Sequence, residues 1–152
     1  MTGWTLSKTL FVEILSDRIT DSFLAQLVWE RLGYQPTELS TDIWHASLLT
    51  PEYWSKTFPR APEVIAHRKA SVHLTRAIPK EHKQLLKKNL NFPGYRIGEL
   101  YPRRTRRATA VNWLLAWMAA NGEELFDAGP LPELFEPPVN PIQGHPGDPP
   151  IQ

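Results

Sequence analysis

The sequence predicts a single, predominantly helical α+β domain with at most a small two- or three-stranded sheet and a disordered proline-rich C-terminal tail. Three observations carry this. Several stretches place apolar residues at helical spacing, and the longest of them runs from Thr105 to Asn121. Only two short stretches alternate in the manner of strands. Eight of the fifteen prolines fall between Pro130 and Pro150, with few large apolar residues among them. The expected limits are therefore a globular domain over 1–126 and an extended or disordered tail over 127–152. A chain of 152 residues fits one domain and can bury a core without covalent staples.

The elements follow in order. Ser7 to Ser16 carries Leu10, Phe11, Ile14 and Leu15 on one helical stripe. Thr20 or Asp21 caps a second helix through Phe23, Leu24, Leu27, Val28 and Leu32, and Gly33 sits where a left-handed residue ends it. These two helices are expected to pair antiparallel across a turn at Asp17 to Thr20. From Tyr34 to Ala70 the pattern breaks into short pieces anchored by Trp44 and Trp54. Within them Thr50-Pro51-Glu52 starts one helix and Pro62-Glu63 starts a turn. Ser71 to Arg76 alternates around Val72 and Leu74, a strand pattern. Pro79 opens a helix with His82, Leu85, Leu86 and Leu90 on one face, which ends at Asn91 to Gly94. Tyr95 to Leu100 reads as a second short strand with Ile97 facing inward. The Thr105–Asn121 helix, with Thr105 as its cap, is apolar around most of its circumference and so belongs at the centre of the core.

Composition narrows the function classes. The absence of cysteine excludes disulfides, thiolate metal sites and thiol nucleophiles. No secretory signal opens the chain, since Lys8 and Glu13 interrupt the early apolar stretch, and the longest uncharged run, Ala108 to Gly122, is too short for a bilayer. A soluble cytoplasmic protein without membrane association is the expectation. The net charge of +1 is a cancellation between blocks. Residues 1–55 carry net −4, residues 56–107 net +11 and residues 108–152 net −6. Such asymmetry implies a basic surface with an anionic partner, or blocks that neutralise one another inside the fold.

The segments "LTRAIPKEHKQLLKKNL", "GYRIGEL" and "PRRTRRATAVNWLLAW" resemble the core of a cyanobacterial family of unknown function that also occurs in plastid-bearing lineages, and "LVWERLGY" extends the likeness upstream. The resemblance covers about a third of the chain strongly and leaves the Pro-rich tail outside it. It implies a cyanobacterial cytoplasmic or plastid stromal protein, and it brings no activity, cofactor or catalytic residue.

The most distinctive motif is the cluster Arg103, Arg104, Arg106 and Arg107 at the start of the central helix. Cations there oppose the helix dipole, at about 0.3–1 kcal/mol each when exposed. A free helix N-terminus beside several guanidinium groups suits an anion: a phosphate, a nucleic-acid backbone or a partner's carboxylates. Arg76, Lys87 and Lys88 extend the same basic block. The competing reading is that these arginines pair with internal acids such as Glu99, Asp42 or Glu52. A helix-turn-helix reading pairs "IGEL" with a recognition helix at "RRTRRATAVNWLL", although Pro102 interrupts the turn. Stacking aromatics such as Tyr95 and Tyr101 beside basic residues also suit single-stranded nucleic acid.

The five histidines show no established metal spacing, with Glu63 and His67 the nearest approach at one helical turn. No Gly-rich phosphate loop and no placed nucleophile–base pair is present, so no catalytic residue, cofactor or metal is assigned and a non-enzymatic protein is expected. In the tail, Leu131, Leu134 and Phe135 form a docking element for a partner or for the domain itself, and the chain after Asn140 is expected to be solvated. The functional expectation is a binding or assembly factor whose basic face (56–107) engages an acidic protein partner. Its alternatives are RNA or DNA binding through Arg103–Arg107, and small-anion binding at the N-terminus of the central helix.

Overall fold

A computed structural model describes residues 3–37 and 40–152. The chain forms α1 (Lys8–Leu15), α2 (Asp21–Leu32), β1 (Gln35–Thr37), β2 (Ser40–His45), α3 (Glu52–Thr57), α4 (Arg68–Arg76), α5 (Leu85–Leu90) and α6 (Pro102–Ala120), with single 3-10 turns at Lys80–His82 and Ile97–Glu99. The architecture is the predominantly helical α+β fold that the periodicity predicts.

Helix α6 is the axis of the core. With 100° per residue its side chains point all round the axis, and it contacts α1, α2, α4 and α5. Val111, Leu114 and Ala110 are fully enclosed, and Trp113 is 7% exposed. The expected α1–α2 hairpin is subordinate to this arrangement, because each helix packs chiefly on α6. Helix α6 also begins three residues before the expected cap. Pro102 occupies its first turn, where a missing N–H costs nothing, and Thr105 lies inside it with Oγ1 donating to the Tyr101 carbonyl at 3.2 Å.

The caps of the first two helices are as the sequence implies. Ser7 Oγ accepts from Leu10 N at 3.2 Å and Thr20 Oγ1 from Phe23 N at 3.1 Å. Gly33 ends α2 at φ +85°. A side chain there would be strained by that φ and would also meet the Leu49 backbone at 2.9 Å, so glycine is required twice over.

Both predicted strands fail. Ser71–Arg76 lies within α4, because its buried residues are Ala70, Ser71 and Leu74, an i, i+1, i+4 helical stripe on α6; of the Val72/Leu74 alternation only Leu74 belongs to it. Tyr95–Leu100 holds only a 3-10 turn, and Ile97 is 91% exposed rather than inward. Tyr95 faces in instead, donating its hydroxyl to the Leu15 carbonyl at the end of α1 (3.0 Å). The sheet that does form is the antiparallel β1–β2 pair, with Gln35 opposite His45 and Pro36 opposite Trp44. The helix expected from Pro79 divides into a 3-10 turn and α5. Asn112 of α6 bridges the break, its Oδ1 accepting from Leu86 N (3.2 Å) and its Nδ2 donating to the His82 carbonyl (3.0 Å). A side-chain amide thereby satisfies one free donor at the α5 N-terminus. Asn91, at φ +53°, closes α5.

The chain beyond 127 has no helix or strand but follows a defined course. Phe135 N donates to the Arg18 carbonyl (2.9 Å) and Gln152 N to the Ala66 carbonyl (2.9 Å). Leu134 packs against the core, while Leu131 and Phe135 stay 40% and 38% exposed. The stretch after Asn140, expected in solvent, buries His145 to 4% exposure and uses Asp148 as an anchor on α2. Among the described residues, no helix is long and apolar enough to cross a membrane.

Candidate anion and partner site

The arginine cluster splits by helical face. Arg103 and Arg107 are four residues apart, so both point the same way, and that way is inward: they are 0% and 1% exposed. Arg103 makes a bidentate pair with Asp17, both bonds 2.7 Å, and turns Nε to Asp21 at 2.9 Å. Arg107 donates to Asp21 Oδ1 at 2.6 Å and to the carbonyls of Ile14 and Ile19, both at 2.8 Å. The expectation that these two offer themselves to an external anion is corrected by this geometry, since their donors are consumed inside the fold. Their partners are Asp17 and Asp21, which the sequence did not suggest; of the acids it did, Glu99 pairs within the cluster, with Arg104 (3.4 Å), and Glu52 pairs with Lys56 (2.7 Å).

The network answers the dipole problem at the α6 N-terminus by bringing two carboxylates to it. Asp21 is the first residue of α2, where its own charge is favoured. Asp17 adopts φ +62°, a left-handed conformation that aspartate tolerates better than most residues, and this turns the chain out of α1 with the carboxylate facing Arg103. Burial alone would raise the Asp17 pKa, but hydrogen bonds from Arg103 and the charges of Arg107 and Arg103 outweigh it and hold the carboxyl below its ordinary value.

Arg104 and Arg106 have local duties. Arg104 lies over the rings of Tyr95 (5.7 Å) and Tyr101 (5.4 Å), and Arg106 donates to the carbonyls of Ile65 (3.0 Å) and Ala66 (3.1 Å). Of the other predicted residues, Lys87 and Lys88 are exposed on α5 and Arg76 is exposed at the end of α4. None of the three makes an ion pair among the described residues. The helix-turn-helix reading fails on the same geometry: "IGEL" is one 3-10 turn, and four helices enclose the would-be recognition helix.

A tail carboxylate joins the network from outside. Asp148 accepts from the backbone N–H of Asp21 (3.0 Å) and Ser22 (3.1 Å), capping α2, and from His145 N (2.9 Å). Its charge reaches Glu63. Burial first, then Asp148 and Asp21, push the Glu63 carboxyl up from 4.5 to about 6. A carboxyl with a raised folded-state pKa contributes stability that is complete below pH 4.5 and lost as pH rises through 6. Glu63→Gln, which keeps the protonated shape at every pH, is therefore expected to stabilise the protein by about 1–2 kcal/mol at pH 7 and by nothing measurable at pH 4. Urea denaturation at the two pH values checks this.

Sequence reasoning missed a cleft of about 620 Å³ bounded by the ends of α2 and α4, by α3 and by α6. Trp54, Trp113 and Trp117 form its walls, and Tyr53 and His73 stack at its rim with ring centres 3.8 Å apart and planes within 14°. Burial, then the charges of Arg76 and Lys69, hold His73 below its ordinary pKa. Its residues run from Arg31 to Ala120, and only the four-residue spacing of Trp113 and Trp117 on the central helix hinted at it.

Among the described residues, no cluster of three or more His, Asp or Glu side chains could hold a metal ion. The family model described as a domain of unknown function (DUF1823) matches residues 5–119. One solved structure, described as the solution NMR structure of a protein, is similar at a TM-score of 0.67 and 43% sequence identity, covering 80% of this chain and 100% of its own. No curated protein matches the chain significantly.

Proposed function

We propose that this chain, which belongs to the DUF1823 family, is a non-enzymatic binding factor whose basic face engages an acidic surface of a partner protein. One observation carries the reading. With Arg103 and Arg107 neutralised internally, the basic block still leaves Lys80, Lys83, Lys87 and Lys88 exposed and without an ion pair among the described residues, against one acid, Glu81, in the same stretch. Exposed Leu100 (54%) and Ile97 (91%) on the following segment supply apolar contact of the kind interfaces use. A protein surface is favoured over nucleic acid because Arg103 and Arg107, placed at a helix N-terminus that would suit a phosphate, are inside, and the 80–88 stretch presents lysines, which give no planar, bidentate recognition.

The test replaces Lys80, Lys83, Lys87 and Lys88 with Glu, all at exposed positions, and confirms an unchanged thermal midpoint. Fluorescence anisotropy then compares an acidic glutamate-rich peptide with RNA and duplex DNA across a salt series. The expected result is peptide binding that weakens at least tenfold in the variant, with weak nucleic-acid binding. A log–log salt slope near −5 for RNA or DNA, as about six phosphate contacts produce, would replace the proposal with nucleic-acid binding.

A further inference from the structure

The aromatic cleft has a property that core packing does not require: its lining contains two arginines and a histidine and no acid. Arg31 is fixed in place. It pairs with Glu30 (3.2 Å), donates to the Trp4 carbonyl and lies 5.8 Å from the Trp117 ring centre. Arg76, from the end of α4, is exposed and has no ion pair among the described residues. The apolar walls are flat and rigid. Trp54 meets His73 edge-on at 4.5 Å, and the stack of His73 on Tyr53 holds a tyrosine ring 63% exposed beside the opening. A half-open, aromatic-walled space of about 620 Å³ lies within the range of small-molecule sites.

We infer that this cleft binds a small amphipathic anion, with a planar apolar body between the tryptophans and a carboxylate, phosphate or sulfonate head at Arg76. The aromatic faces supply stacking and area, and the uncompensated guanidinium supplies the charge selection, since a neutral body of the same shape gains nothing from it. The cleft adjoins the lysine face at Pro79 but none of residues 80–88 lines it, so either reading can fail without the other.

The probes are 8-anilinonaphthalene-1-sulfonate and its neutral counterpart N-phenyl-1-naphthylamine. They are titrated by fluorescence against wild type, Arg76→Gln, Tyr53→Ala and the four-lysine-to-Glu variant, with thermal midpoints recorded for each. Arg76→Gln is expected to weaken the sulfonate five- to tenfold and leave the neutral probe within twofold. Tyr53→Ala weakens both probes, and the lysine variant weakens neither. In NMR spectra the indole N–H signals of Trp54, Trp113 and Trp117 shift with the sulfonate. Ranking 1-naphthoate against 1-naphthyl phosphate then separates a carboxylate head from a phosphate head. Equal loss of the sulfonate in the lysine variant with unmoved indole signals would place the probe on the surface and overturn the proposal. Indifference of both probes to Arg76→Gln, or no binding by either, would overturn it as well.

Discussion

An Asp21→Asn protein is expected to melt about 10 °C below wild type. Asp21 receives Arg103 Nε at 2.9 Å and Arg107 at 2.6 Å and is itself 2% exposed. The amide has the same size but no charge, and it turns an NH2 donor toward groups that only donate. Removing one partner from a buried ion network costs about 3–5 kcal/mol, because the cations left behind are far from water. In a domain of this length each kcal/mol moves the midpoint by roughly 2–4 °C. Arg104→Gln is the control: that side chain is 18% exposed and loses only a 3.4 Å pair and ring contacts, so the expected cost is below about 1 kcal/mol. Differential scanning calorimetry of both variants decides the matter. A drop of under about 3 °C for Asp21→Asn would mean that the network's desolvation cancels its attraction. The same network gives an acid limit. Because the folded Asp17 pKa is lowered, its contribution is complete above the ordinary carboxylate pKa and is lost as pH falls through the folded value.

The network also marks where the sequence was readable. Asp17 and Asp21 stand four apart in the acidic block, and Arg103 and Arg107 stand four apart in the basic one. Mutual neutralisation of the blocks was an available reading, but Asp17 follows α1 in a left-handed turn and Asp21 opens α2, so their spacing is not that of one helix face and the partner assignment needed the fold. Helices α1 and α2 were legible because each couples a strong apolar stripe to a local start or stop residue such as Ser7, Thr20 or Gly33, and α6 was legible by its stripe although its start at Pro102 was placed three residues late. Helix α4 was not, since in the six-residue window 71–76 Val72 and Leu74 follow a two-residue period, while the helical stripe rests on Ala70, Ser71 and Leu74, whose burial the packing on α6 decides. The α5 region was half legible: its turn of helix and its Asn91 end were readable, but the break before it depends on Asn112, 26 residues away from Leu86. The cleft was illegible for the same reason at larger scale, because its walls come from four helices whose meeting no local pattern records.

Neighbouring residues on α3 separate what the cleft does for the fold from what it is proposed to do for a ligand. Trp54 is 5% exposed, meets His73 edge-on at 4.5 Å and lies 5.7 Å from Phe58. Its carbonyl and that of Phe58 also receive the Tyr34 hydroxyl, at 3.3 and 2.7 Å, so the ring packs where β1, α3 and α4 are tied together. Trp54→Ala removes the ring and leaves a void that this rigid junction cannot close, for an expected cost of about 3–5 kcal/mol. Tyr53, one residue away and 63% exposed, contributes only its stack on His73, and Tyr53→Ala should cost under about 1 kcal/mol. Denaturant unfolding with matched probe titrations reads both quantities on the same samples. Loss of stability in Trp54→Ala together with loss of probe binding at unchanged stability in Tyr53→Ala is the expected pair. The reverse stability order would mean that the exposed stack, not the buried indole, holds α3 against α4. An aromatic held 63% in water against a histidine ring contributes little to folding, so its proposed use lies in what enters the cleft beside it.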